Sequence, residues 1–268
     1  MSKTLEDRLR SAELTLDQAH AAMGRHTSKL SVEVDEGFRR VIQFRSDIDH
    51  WIGLLGARAA ALQLLRDLEA TVDQDGYVVL GASRVKFHHA RLIGVQSYLT
   101  TSWALADRIT GMVGRVVCPP SAGCDPTNPA QLVSHFVRSE KGKAPAAVLS
   151  KSIRFMFGWP IAISYAIRNH VVHDGAQFDG VDFFEGAMPS AGFRISADGW
   201  RRIEARALEY GVAASLHRAG PLWPPTPCDD LRLVLDVCER EMDDALGVLV
   251  GSATAALLSH VRCMVGED

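Results

Sequence analysis

A chain of 268 residues, 47% hydrophobic and 23% charged, carries enough apolar mass for a sizeable core in one large domain or two smaller ones. Its formal net charge of −3 excludes a general polyanion binder, and five cysteines without a C-x-x-C pair exclude a zinc knuckle or redox motif. The opening MSKTLEDRLR is charged and no apolar segment follows it, so it is not read as a secretory signal. Reduced, buried thiols at Cys238 and Cys263 and a cytoplasmic setting are the expectation.

Helical periodicity dominates from the start. Leu5, Leu9, Ala12, Leu16, Ala19 and Met23 step by four and three, which is a narrow apolar stripe on one helix face. Val41, Phe44, Ile48, Ile52, Leu55, Ala59, Leu62, Leu65 and Leu68 extend the same spacing over a second helix, so residues 1–75 read as a helical hairpin. Asp75-Gly76 signals a turn, and YVVL after it reads as a short strand. A third helix is expected from about Arg84 to Val117. Its stripe runs through Val85, His89, Leu92, Gln96, Leu99, Trp103, Ala106, Ile109, Met112 and Val116, and its end is set by the four prolines of CPPSAGCDPTNP.

Short helices are expected near 129–138 and 145–157. Another begins at Pro160, where a first-turn proline is tolerated, and stops at Gly175, a residue suited to a left-handed C-cap. Residues 176–198 show no period, with FRIS as a short strand; 197–210 restarts as a helix. After the second proline-rich loop, PLWPPTPCDD, Asp229 or Asp230 is placed to cap a helix running to about Met264. Within it, ALGVLVGSATAALL at 245–258 is shorter than the roughly 20 apolar residues of a membrane span. No membrane association is expected. The sum is an all-α, multi-helix bundle: the hairpin 1–75, a larger bundle 76–268, two irregular loops and minor strands.

One stretch stands apart. IRNHVVHDGA, 167–176, uses one of only two asparagines in the chain, directly after an arginine and four residues before a histidine. Arg-x4-His alone occurs three times, at Arg45/His50, Arg84/His89 and Arg168/His173, so the Asn makes the third match specific. The surroundings are basic. From Arg138 to Val172 there are six cations (Arg138, Lys141, Lys143, Lys151, Arg154, Arg168) and one anion, Glu140, so a net-acidic chain carries a stretch able to steer a polyanion.

These residue types suit metal-independent phosphodiester cleavage. The reaction must deprotonate a 2′-OH, stabilise extra negative charge on phosphorus and protonate the leaving 5′-oxygen. Histidine exchanges protons near neutrality. Arginine offers a fixed, permanently charged fork to phosphate oxygens. Asparagine orients a neighbour without adding charge. On a straight helix Asn169 and His173 lie about 40° apart, whereas Arg168 and His173 lie about 140° apart. Either the helix loosens at His173, or a second copy of the motif completes the site. His173 also falls in the last helical turn, where the macrodipole favours its protonated form.

R-N-x-x-x-H-D-G near the end of an apolar helix resembles the signature of the HEPN superfamily, carried here by Arg168, Asn169 and His173. The resemblance covers about residues 76–268, with a long helix before the motif and another after it; residues 1–75 have no counterpart in it. It implies a helical bundle and a metal-independent endoribonuclease, without cofactor, of the kind found in toxin–antitoxin and abortive-infection or other anti-phage systems. It further implies a homodimer with a composite active site, a 2′,3′-cyclic phosphate product, and an antitoxin or regulatory protein as partner. Lys151, Arg154, His170 and Asp174 are the further candidates for contacting RNA.

Three competing readings accompany it. The same fold without catalysis would be a binding module or neutralising subunit for RNA, nucleotide or protein. His173-Asp174 is also the core dipeptide of metal-dependent HD phosphohydrolases, but the other ligands such a site needs, nominated as His135, His88 or Asp243, show no convincing spacing. The hairpin stripe is itself a surface for oligomerisation or a partner helix. Arg84, His88 and His89 form a lesser constellation, with His89 expected in the core. Trp159 and Tyr165 are expected to fill core space rather than stack a base.

Overall fold

The computed structural model describes residues 4–24, 32–117, 164–169, 184–185, 194–195, 201, 205 and 231–265, and these are mostly helical. Four long helices carry the architecture: α1 (Leu5–Gly24), α2 (Val32–Ala70), α3 (Phe87–Val117) and α4 (Leu231–Val265). Residues 164–169 form a further helical stretch. By contacts the chain forms two compact units. One comprises Met1–Leu55, Ala104–Met156 and Asp243–Asp268; the other comprises Gly56–Trp103 and Phe157–Met242.

In the first unit, α1 opens on a reciprocal cap. Asp7 N–H donates to Thr4 Oγ1 at 3.1 Å, and Thr4 N–H donates to Asp7 Oδ2 at 3.0 Å, so two end donors are satisfied. The expected stripe of α1 is buried at all six positions, Leu5 to Met23. On α2, Val41, Phe44, Ile48 and Trp51 are buried, with Phe44 and Trp51 edge to face at 5.7 Å. Arg45 links α2 to α1 through Asp17, 2.7 Å away. On α4 the Arg8 stem lies across Gly247: a Cβ there would fall 2.3 Å from Arg8 Cδ, so glycine makes room for the arginine, whose Nη2 reaches Asp244 at 3.4 Å. A groove of about 690 Å³ runs beside this contact, lined by Arg8, Ser11, Thr15, Gly247, Gly251 and Ser252 among others.

The second unit has a core of its own. Ala61, Leu65 and Leu68 of α2 pack with Phe87, Ala90, Val95, Tyr98 and Leu99 of α3, with Ala166 and Ile167, and with Leu235 and Cys238 of α4. Gly94 lets α2 and α3 approach, because a Cβ there would meet Leu65 Cδ2 at 2.3 Å. The stripe expected on α2 drifts out of phase here, since Ile52 and Leu55 are half-buried and Ala59 is exposed while Arg58 is buried. Arg58 occupies a core position because Glu239 of α4 meets its Nη2 at 3.1 Å. Tyr98 O–H donates to the other Glu239 oxygen at 3.0 Å, so both carboxylate oxygens are satisfied and three helices are tied at one point. Burial, and then the nearby Glu239 charge, push the Tyr98 phenol well above its ordinary range and keep it a donor.

A hairpin precedes α3. β1 (Tyr77–Leu80) pairs antiparallel with β2 (Ser83–Lys86), Tyr77 opposite Lys86 and Leu80 opposite Ser83. The expected strand at YVVL is present; its partner SRVK takes up the first residues of the helix expected from about Arg84, which begins at Phe87. Gly76 (φ +79°) and Gly81 (φ +59°) supply the left-handed turns that L side chains resist. Arg84 stacks over Tyr77 at 4.3 Å, while its Nη2 donates to Asp73 at 2.7 Å and to Asp75 at 2.8 Å. Backbone N–H donation from Tyr77, and then Arg84, hold the Asp73 carboxyl below the usual range. Arg84 is thus committed to the turn. A second small pairing joins β3 (Phe184–Glu185) to β4 (Arg194–Ile195), within the expected FRIS strand.

Among the described residues, one helix segment, Leu235–Cys263, is long and apolar enough by composition to cross a membrane, with mean hydropathy 1.4; 53% of its most apolar window is buried within the protein. The helix continues well beyond the short apolar run seen in sequence. Its Glu239 and Asp244 are ion-paired, as in a helix packed inside protein.

Removing Glu239 leaves the Arg58 guanidinium, 6% exposed, without its counter-charge. Glu239→Leu is expected to cost about 3–5 kcal/mol in denaturant unfolding, whereas the triple change Arg58→Met, Tyr98→Phe and Glu239→Leu should recover most of that loss. A triple variant no more stable than the single one would remove the network from its structural role.

Candidate functional site

The described part of the motif is Arg168-Asn169, the last two of the described helical residues 164–169. Its placement follows from what lies one turn earlier. Ser164, 2% exposed, accepts a hydrogen bond from Trp103 Nε1 of α3 at 3.1 Å. Tyr165 meets the Trp103 ring edge to face, with centroids 4.8 Å apart. Ala166 and Ile167 are fully buried in the core of the second unit. Four consecutive residues are thereby fixed, and the next two emerge in a set direction.

Asn169 is buried, at 8% exposure, and Arg168 is half-buried. Arg168 Nη1 donates to Asn169 Oδ1 at 2.9 Å. Successive helix residues point about 100° apart and do not normally face each other, so the long arginine stem must curl round its axis to make this contact. The bond fixes the guanidinium plane. Its Nε–H is buried and has no hydrogen-bond partner among the described residues, and no carboxylate lies within ion-pair distance of Arg168 among them. A buried donor without an acceptor costs about 1–3 kcal/mol, so an anionic oxygen reaching the Nε/Nη2 edge would satisfy it while neutralising the charge.

Cys238 of α4 packs against the start of the same stretch. Burial pushes its thiol up to about 12, opposed by the Ser164 backbone N–H, which donates toward the sulfur. The thiol is structural. Cys263, expected to be buried, is exposed, because it lies about 200° round the helix from the buried Val261 and so faces away from the core.

The remaining predicted residues are placed as follows. His173, His170, Asp174, Lys151 and Arg154 lie outside the described residues, as do His135 and Trp159. Tyr165 packs on Trp103, in keeping with a core-filling role. His89 is exposed, contrary to its expected core position: the buried face of α3 begins at Phe87, Ala90 and Arg91, which turns position 89 to solvent. The His88 and His89 rings lie 4.1 Å apart, edge to face. Among the described residues no three His, Cys, Asp or Glu side chains gather closely enough to hold a metal. Trp103 and Ser164 were not singled out as site residues from sequence. Trp103 was legible as a stripe residue, but its hydrogen bond was not, and Ser164 carried only the signal of lying four residues before Arg168.

Alkylation of the native protein followed by mass-spectrometric mapping should label Cys263 and spare Cys238, with Cys238 reacting only once denaturant opens the second unit. Labelling of Cys238 at native conditions and at a rate similar to Cys263 would mean the motif stretch is not packed on α4 as described.

No family model, no curated protein and no solved structure matches this chain.

Proposed function

We propose that the chain is a metal-independent endoribonuclease of the HEPN type, with Arg168, Asn169 and His173 as its working residues. One observation carries the reading: a half-buried guanidinium with no carboxylate partner among the described residues, one nitrogen bound to the Asn169 amide and its Nε–H unpartnered. Arg58, buried in the same unit, is met by the Glu239 carboxylate. Arg168 has no such carboxylate among the described residues, which is what supports the reading.

In this reading the scissile phosphate lies against the accessible part of the half-buried Arg168 guanidinium. The guanidinium stabilises the charge that grows on the phosphoryl oxygens as the ribose 2′-oxygen attacks. Asn169 keeps the fork in plane and prevents the stem from sampling other rotamers. His173 performs proton transfer, accepting the 2′-OH proton as a neutral imidazole or donating to the 5′-oxygen as the imidazolium. Attack forms the 2′-oxygen–phosphorus bond and breaks the phosphorus–5′-oxygen bond. The products are a 2′,3′-cyclic phosphate and a 5′-hydroxyl. No metal ion and no cofactor enters.

A homodimer joins two motifs into one composite site, in which one His173 serves as base and its counterpart as acid. Lys151, Arg154, His170 and Asp174 serve as further RNA contacts. The setting that fits such an activity is the cytoplasm, within a toxin–antitoxin or anti-phage system in which a protein partner restrains the nuclease. The Arg168–Asn169 geometry serves equally well for a binding module that holds a phosphate without cleaving it, and His173 separates the two.

Purified protein incubated with total RNA in EDTA is expected to cleave it, with Arg168→Ala and His173→Ala each slower by at least about 100-fold. Cyclic phosphate ends on the products would identify the chemistry. Equal cleavage by all three proteins would contradict the reading. RNA bound by the wild type but cut by none of them would move the chain to the binding module.

A further inference from the structure

Trp103 touches the two residues that lie one helical turn below the motif pair. Ser164 precedes Arg168 by four positions and Tyr165 precedes Asn169 by four, so each member of the pair stands about 6 Å along the helix from a residue held by the same indole. Helical side chains lean toward the N-terminus, over the preceding turn. Arg168 and Asn169 therefore lean toward the turn that Trp103 fixes. Trp103 is 4% exposed and Ser164 is 2% exposed, so neither side of their hydrogen bond has water as an alternative partner.

The two contacts do different things. The edge-to-face packing on Tyr165 is apolar and survives small rotations of the helical stretch. The Nε1–H to Ser164 Oγ bond at 3.1 Å is directional, and rotating the stretch by one residue's worth of phase would break it. Its loss would leave a buried indole N–H and a buried hydroxyl unpaired, which selects one rotational setting for Arg168 and Asn169. Nothing in apolar packing alone would do so with the same sharpness.

We infer that Trp103 and Ser164 are positioning residues for the Arg168–Asn169 pair: their buried hydrogen bond sets the phase from which the guanidinium meets a phosphodiester. The inference rests on the ribonuclease reading for its effect on activity, but not for its effect on the guanidinium itself. Trp103→Phe keeps an aromatic ring and removes the N–H; Ser164→Ala removes the acceptor. Val78→Ala, a core truncation on β1 that leaves the Trp103–Ser164 hydrogen bond in place, serves as the control for lost stability.

Two readouts are taken on the folded variants. In the first, the Arg168 Nε–H resonance, assigned by its disappearance in Arg168→Lys, is followed by NMR. It should shift in Trp103→Phe and Ser164→Ala and stay in place in Val78→Ala. In the second, cleavage kinetics in EDTA should show kcat lowered about tenfold in each variant, with the double variant no slower than either single one, because both remove the same bond. An unmoved resonance in folded Trp103→Phe and Ser164→Ala would overturn the inference, as would additive losses of kcat in the double variant. A wild type that cleaves nothing would sink the ribonuclease reading alone, and the resonance would still decide whether Trp103 and Ser164 set the pair.

Discussion

Polar groups taken out of water must find partners inside the protein, and in the second unit that requirement sets the helix positions. Hydrophobic packing there is generous but permissive: leucines, alanines and valines tolerate sliding and rotation. The directional contacts do not. Arg58, Tyr98 and Glu239 lock α2, α3 and α4 to one another, and the Trp103–Ser164 bond locks the motif stretch to α3. The apolar core supplies the driving force, and these few buried hydrogen bonds choose among the packings it would allow.

Among the described residues Arg168 is met differently from Arg58, and like the deeply buried Arg91 it keeps an Nε–H without a hydrogen-bond partner. The same unit shows how this protein treats a buried arginine with a structural task, by giving Arg58 a carboxylate at 3.1 Å. At Arg168 the neighbour is an amide, which orients the guanidinium and leaves its charge intact. Replacing a carboxylate by an amide at such a position maintains positive potential, which a phosphate-handling site needs and a scaffold does not. The proposed roles of Arg168, Asn169 and His173 rest on this pair.

Much of the helical scaffold was legible in the residues. The α1 stripe is buried at each of its six positions because a surface helix with one apolar face has a single way to pack. The α3 end at Val117 and the α4 run to Val265 lie where the prolines and the apolar pattern put them. The failures share a cause. Hydrophobic periodicity assigns charged and small residues no place in a core, so Arg58, Arg91 and Gly94 on the buried faces of α2 and α3 shifted the apparent phase, and His89 was placed inward when it faces out. The strand Ser83–Lys86 was hidden because SRVK has no apolar alternation; its pairing is set by Gly81 and by the Arg84 clasp on Asp73 and Asp75. Of the site, Arg168 and Asn169 were legible as a motif. The Trp103–Ser164 support was not, since a bond between residues 61 positions apart leaves no local trace.

The central claim is that the Arg168 guanidinium is a preoriented cation waiting for a phosphodiester. Binding of a 2′-O-methyl RNA, which cannot be cleaved, isolates that claim from catalysis when measured by fluorescence anisotropy over a range of salt. Arg168→Ala should lower the slope of log affinity against log salt by about one phosphate contact, and Arg168→Lys should keep the slope while binding more weakly. Wild-type affinity in Arg168→Ala at every salt concentration would contradict the account.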